Sequence, residues 1–212
     1  MRNLLDPEIA SYLDSLVPSR SPEMLAMEAY AERTRFPIIG PATGALCHQL
    51  ARMIDARKVF ELGSGFGYST AWFCQAVREA GGGEVHHTVW DEDLSRDARE
   101  HLEALGYENL VHYHVGEAVE TLAGVDDTFD LVFLDIDKEG YPEALPVIAD
   151  RLRKGGLLLV DNALWSGRVF DAADDSPATE GVRRITRMLA EDEGWILTLA
   201  PIRDGLLIAL RA

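Results

Sequence analysis

Apolar positions along this chain alternate between helical spacing and strand-length runs. "ALCHQLARMI" puts Leu46, Leu50, Met53 and Ile54 at helical intervals, and "KVFELG" follows as a short strand. The exchange then repeats. "YSTAWFCQAVREAGGG" predicts a helix stopped by glycines, "EVHHTVW" a strand, and "DEDLSRDAREHLEALG" a helix with acids in its first turn and Gly106 at its end. "NLVHYHVG" predicts a strand, "EAVETLAG" a short helix, "FDLVFLD" a strand, "YPEALPVIADRLRKGG" a helix and "LLLVDN" a strand. After a long loop come the helix "GVRRITRMLAEDEG" and the segment "WILTLAPIRDGLLIALR", which reads as two strands turning at Arg203-Asp204-Gly205.

This alternation predicts an α/β fold with helices on both faces of a mostly parallel sheet, into which the terminal hairpin brings one antiparallel strand. Upstream, "DPEIASYLDSL" and "PEMLAMEAYAERTRF" read as helices outside the repeat. The expected organisation is an N-terminal helical extension, residues 1–35, and one α/β domain, residues 36–212. A chain of 212 residues, 47% of them hydrophobic, suits one domain with a sizeable core.

Charge narrows the partners. With 36 acidic and 20 basic residues the net charge is −16, and no Lys/Arg run offers a stripe for phosphates. Nucleic acid is disfavoured, whereas small molecules and a metal cation fit the field. No apolar run reaches the ~18 residues that span a bilayer. The N-terminal "MRNLLDPEIASYLDSL" carries acids and a proline where a signal peptide needs a continuous apolar stretch, so a cytoplasmic location without membrane association is expected. Cys47 and Cys74 lack metal-ligand spacing and read as reduced core thiols.

In a parallel sheet, ligands sit beyond the carboxyl ends of the strands. Three such ends carry chemistry here: "ELGSGFGYS", "LDIDK" and "VDN". The first sets Glu61, Gly63, Gly65 and Gly67 at alternate positions, which lets the backbone turn tightly beside a ligand. Its GxGxG spacing differs from the GxGxxG of dinucleotide sites. An acid before the glycines suits a ligand with an ammonium group, such as S-adenosylmethionine (SAM), better than a pyrophosphate. The alternative is a strand-to-helix turn with no ligand. "TVWDED" offers Asp91, Glu92 and Asp93 for a ribose, although acids at a helix start also complement the macrodipole.

The other two ends crowd charge onto core strands. Asp135 lies at one, Asp161 and Asn162 at the next, and consecutive strands joined by one helix are often neighbours. Two carboxylates and an amide oxygen form a hard ligand set suited to Mg²⁺ or Ca²⁺. Lys138 follows Asp135 by one helical turn, and like-charge repulsion from a cation would favour the neutral amine that a general base needs. The plainer alternative makes Asp135, Asp137 and Lys138 a solvated helix start.

The segments "FELGSGFGYS", "GEAVETL", "FDLVFLDIDKEGYPEAL", "GGLLLVDNALWSGRV" and "IRDGLLIALR" together resemble the cation-dependent O-methyltransferases of the catechol and caffeoyl-CoA type, from about Phe36 onward. The resemblance implies a class I SAM-dependent methyltransferase, Rossmann-like, with a seven-stranded sheet. It implies metal ligation by Asp135, Asp161 and Asn162, with Mg²⁺ the expected ion and Mn²⁺ or Ca²⁺ possible on the same ligands, and Lys138 as the base. SAM contacts are implied for Ile39, Glu61, Gly63, Ser64, Gly65, Ser69, Ala118, Asp135 and Asp137, and a substrate-facing role for Trp165 and Tyr141. One departure is visible. The family's ribose-binding acid falls on Val89, leaving Asp91 as the nearest substitute. The activity implied is methyl transfer to one hydroxyl of a small aromatic vicinal diol, in a homodimer, with the N-terminal helices capping the substrate pocket or packing on a second subunit. Alternatives are methylation of hydroxylated uridine in tRNA and a non-catalytic SAM-binding module.

Some features carry less. His86, His87, His112 and His114 fall on two successive strands, remote from the rim, and read as satisfied or solvated histidines, with a surface metal or pH-sensitive site as the alternative. "FDAADDSPATEG" reads as a mobile acidic loop or a lid, and Trp72 and Phe73 as core.

Overall fold

Register between strands decides where the chemistry of this chain meets. The computed structural model describes residues 6–212, so the first five residues of the expected extension lie outside it. Strands β1 (Lys58–Leu62), β2 (Glu84–Val89), β3 (Val111–Val115), β4 (Phe129–Leu134) and β5 (Leu152–Val160) run parallel. β6 (Trp195–Ala200) and β7 (Leu206–Arg211) form the terminal hairpin, and β7 pairs antiparallel with β5. The sheet order is β3-β2-β1-β4-β5-β7-β6, with the one antiparallel strand that the sequence predicts.

Because β4 is central and covered on both faces, its residues read as an uninterrupted apolar run. Leu131 and Phe133 enter one core with Cys47, Phe73 and Leu102 from helices α3 (Gly40–Met53), α4 (Tyr68–Glu79) and α5 (Glu92–Ala104). Val132 and Leu134 enter the other, with Leu122, Ile148 and Ile185 from α6 (Ala118–Gly124), α7 (Tyr141–Arg151) and α8 (Pro177–Glu191). Upstream lie α1 (Pro7–Ser15) and α2 (Pro22–Thr34), and α2 buries Met24, Met27 and Ala31 in the first core. Cys47 and Cys74 are free and buried. Trp72 and Phe73 are core residues. No helix among the described residues is long and apolar enough to cross a membrane.

Two expectations are corrected. "LRKGG" does not extend α7. The chain turns extended at Leu152, which pairs with Phe129 before an irregularity restores register at Leu131 and Leu157. The helix propensity of Leu152, Arg153 and Lys154 is overridden here by strand pairing and by an ion pair of Arg153 Nε with Asp130 Oδ1 at 2.5 Å. The acidic segment after Trp165 is not loose either. It begins as a 3₁₀ turn, Trp165–Phe170, and Arg183 donates to the carbonyls of Val169 (3.1 Å), Asp174 (2.7 Å) and Arg168 (3.2 Å). Arg168 closes the loop on Asp174 at 2.6 Å.

Candidate active site

Leu62, Leu134 and Val160 end three neighbouring strands side by side. The residues that follow are therefore forced together. The amide of Asp135 donates to the Leu62 carbonyl at 2.8 Å, and that of Asp161 to the Leu134 carbonyl at 3.1 Å. Gly63 is required by this crowding: its φ is +88°, and a Cβ there would stand 2.2 Å from the Asp135 carbonyl oxygen.

A cavity of about 480 Å³ opens over these ends. Of the residues singled out in the sequence, Ile39, Gly63, Ser64, Gly65, Ser69, Ala118, Asp135, Asp137, Lys138, Asp161, Asn162 and Trp165 line it. Lys138 is buried, and its Nζ donates to Asp135 Oδ1 at 2.7 Å and to the Ile136 carbonyl at 3.1 Å. The same ammonium lies 5.8 Å from the centre of the Trp165 ring. α8 presses closely behind it: a Cβ at Gly181 would stand 2.0 Å from the Lys138 carbonyl oxygen.

Asp161 is almost fully buried, and burial together with the nearby Asp135 charge pushes its carboxyl up, against the pull of Arg203. Arg203 Nη1 lies 3.7 Å from Asp161 Oδ2. Asn162 takes a left-handed backbone, φ 56°, a conformation asparagine tolerates better than most side chains. Its Nδ2 donates to Asp204 Oδ2 at 3.4 Å, which leaves its amide oxygen free as an acceptor. Two carboxylates and this oxygen fit a hard divalent cation, whose charge would offset the mutual repulsion of Asp135 and Asp161.

Glu61 is fully buried at the end of β1. Its Oε2 accepts from Thr70 at 2.5 Å, while Oε1 is buried without a partner. Burial pushes its carboxyl up to about 8, against the hydroxyls of Ser69, Thr70 and Ser64. Glu61 does not itself line the cavity but sits behind Ser64 and Ser69, which do, and its carboxylate favours an ammonium-bearing ligand there, so the residues fit SAM. Behind Glu61, Thr70 Oγ1 also meets His87 Nδ1 at 3.1 Å, and burial holds that histidine neutral, down to about 3.

Two predicted contacts are corrected. Asp91 does not face the cavity, because its carboxylate caps α5 by accepting from the amides of Asp93 (2.7 Å) and Leu94 (3.1 Å). Val89 and Trp90 line the cavity at that strand end instead. Tyr141 is fully buried, and its hydroxyl donates to the carbonyls of Asp161 (3.1 Å) and Leu134 (3.4 Å), bracing two strand ends rather than meeting a substrate.

Sequence reasoning missed Arg203 and Asp204, which it read only as turn residues. Asp204 is buried and ties the hairpin turn to the loop after β5, accepting from Asn162 and from the amide of Ser166 at 2.6 Å. The signal was faint: one acid in a tight turn between apolar strands.

A family model described as O-methyltransferase matches residues 22–212. A relative from Mycobacterium sp. (strain JLS), named only provisionally as an O-methyltransferase, is 36% identical over 176 residues, covering 82% of this chain and 79% of its own. The catechol O-methyltransferase of Mycobacterium tuberculosis (strain ATCC 25618 / H37Rv) is 31% identical over 191 residues, 89% of this chain and 86% of that one. Among solved structures, the O-methyltransferase TomG from Streptomyces achromogenes, in complex with SAM, superposes with a TM-score of 0.87 at 28% identity over 97% of this chain and 96% of that chain. Fold, glycine loop and family match agree, and the chain belongs to the O-methyltransferase family.

Proposed function

We propose that this protein transfers a methyl group from SAM to one hydroxyl of a small aromatic vicinal diol, with a divalent cation held by Asp135, Asp161 and Asn162. The observation that carries this reading is the meeting of Asp135, Lys138, Asp161 and Asn162 with the glycine loop in one cavity. Glu61 and the loop from Gly63 to Gly65 would hold the amino-acid end of SAM, with Ser69 and Ala118 beside them. SAM supplies the electrophilic methyl when bound, and Mg²⁺, or an ion sharing its ligands, lowers the pKa of the diol oxygens. Lys138, as the neutral amine, accepts the proton of the hydroxyl to be methylated. Asp135, 2.7 Å from Lys138 Nζ, pairs with the ammonium that this transfer forms. Trp165 forms an apolar wall for an aromatic ring and, with the buried strand ends, limits water around the attacking oxygen.

Within the N-terminal extension, α1 and α2 act as accessory helices on a domain spanning 36–212, α2 through Met24, Met27 and Ala31 in its core. α1 buries none of its residues and exposes Ile9 and Tyr12, with Leu16 exposed just after it, which suits packing on a second copy of the chain. A cytoplasmic protein is consistent with two free cysteines. The test is transfer of labelled methyl from SAM to a panel of catechols by wild type, Lys138→Ala and Lys138→Met. Transfer lost in both variants, with SAM binding retained, supports the reading. Transfer surviving in either variant removes Lys138 from the chemistry.

A further inference from the structure

Far from the catalytic rim, near the start of β2 and β3, the sheet gathers a second set of donors. Glu84 and His86 are two residues apart on β2 and so share a face, and parallel register sets His86 beside His112 on β3. One ring nitrogen from each histidine and one Glu84 carboxylate oxygen lie within 4.8 Å of one another. Glu84 Oε2 is 3.1 Å from His112 Nε2, and the rings of His86 and His112 are 4.8 Å apart. His114 completes the face, with its Nε2 3.1 Å from His86 Nδ1.

We propose that Glu84, His86 and His112 form a binding site for a transition-metal dication of the Zn²⁺ class, separate from the catalytic cavity. Two imidazoles and one carboxylate, with no thiolate, are a donor set that zinc takes in three-ligand sites, leaving a further position for water. The set differs from the all-oxygen group at Asp135, so the two sites differ in the ions they select. His114 orients the His86 ring from behind, as the outer partners of metal-bound histidines do. Donors around tetrahedral zinc stand about 3.4 Å apart, so the widest pair of this group, within 4.8 Å, must close by about 1.4 Å. His112 supplies that freedom: its side chain is 56% exposed and its strand is the sheet edge. Lys58 is the competing cation, 3.3 Å from Glu84 Oε1. It is shared with Asp127, and Glu84 Oε2 remains turned to His112. β3 pairs only with β2, so an ion bridging His86 and His112 would fasten that edge strand across its single ladder.

The test is calorimetric titration of Zn²⁺ into the full chain in excess Mg²⁺, with His112→Ala, His114→Ala and Asp161→Asn compared with wild type. The expected result is one saturable zinc equivalent that persists in Asp161→Asn. Affinity should fall by at least about 100-fold in His112→Ala and about tenfold in His114→Ala. Because His112 is exposed, its variant is expected to fold, which a thermal melt checks. Unchanged zinc affinity in His112→Ala, zinc binding lost in Asp161→Asn, or no saturable zinc binding in wild type would each overturn the proposal.

Discussion

Gly181→Ala tests how helix packing positions the lysine. Gly181 lies in α8 at an ordinary helical φ, so alanine there is unstrained in backbone and the effect is steric alone. The added Cβ would stand 2.0 Å from the Lys138 carbonyl oxygen, and ordinary contact begins at 3.4 Å, so helix and turn must part by about 1.4 Å. Overpacking of this kind costs about 1–3 kcal/mol of stability. Misplacement of a reacting group by ~1 Å can cost about 100-fold in rate. The variant should therefore remain folded, bind SAM like wild type, and lose roughly two orders of magnitude in kcat on a catechol substrate. Urea denaturation, SAM titration and steady-state kinetics measure the three quantities. Gly124→Ala is the control, since its Cβ would meet nothing within 4 Å. A Gly181→Ala enzyme with kcat close to that of wild type would show that the position of Lys138 does not limit turnover.

Further outcomes follow from the same contacts. Tyr141→Phe removes a hydroxyl that braces two carbonyls, so stability to urea should fall by about 1 kcal/mol while KM for the diol stays unchanged; a raised KM would restore Tyr141 as a substrate contact. Asp204→Asn should weaken Mg²⁺ binding by about tenfold, measured by calorimetry, because it loosens the partner of the Asn162 amide proposed as a metal ligand. His87, held down to about 3 in the fold against 6.5 ordinarily, keeps its full contribution above pH 6.5 and loses it as pH falls toward 3. Between pH 7.5 and 4.5 it should cost wild type about 2–3 kcal/mol, a loss reduced in His87→Gln in urea melts at both values. Arg183→Ala frees the carbonyls of residues 168–174, and hydrogen exchange there should accelerate.

The legible parts of this chain were those written in contiguous residues. Period changes gave the order of strands and helices, and the strand ends at Glu61, Asp135 and Asp161 announced themselves as charge at the close of apolar runs. Asp91 misled because an acid at a strand-to-helix junction serves a helix cap as well as a ribose, and only the geometry of Asp93 and Leu94 separates the two. Tyr141 misled because its spacing from Asp135 does not say which side of the turn it takes. Arg203 and Asp204 were illegible as site residues because they reach Asp161 and Asn162 only through antiparallel pairing of β5 with β7, a contact no local pattern encodes. The histidine face was half legible: register brings His86 beside His112, but Glu84 joins them by side-chain placement.

The charged end of β4 and β5 is proposed as a catalytic metal site acting on paired hydroxyls. Its most direct test is the rate of labelled methyl transfer from SAM to catechol and to phenol, in Mg²⁺ and after chelation with Mg²⁺ restored. Transfer to catechol is expected to vanish on chelation and return with Mg²⁺, with little transfer to phenol. Transfer to catechol that persists through chelation, or phenol methylated as fast as catechol, would contradict it.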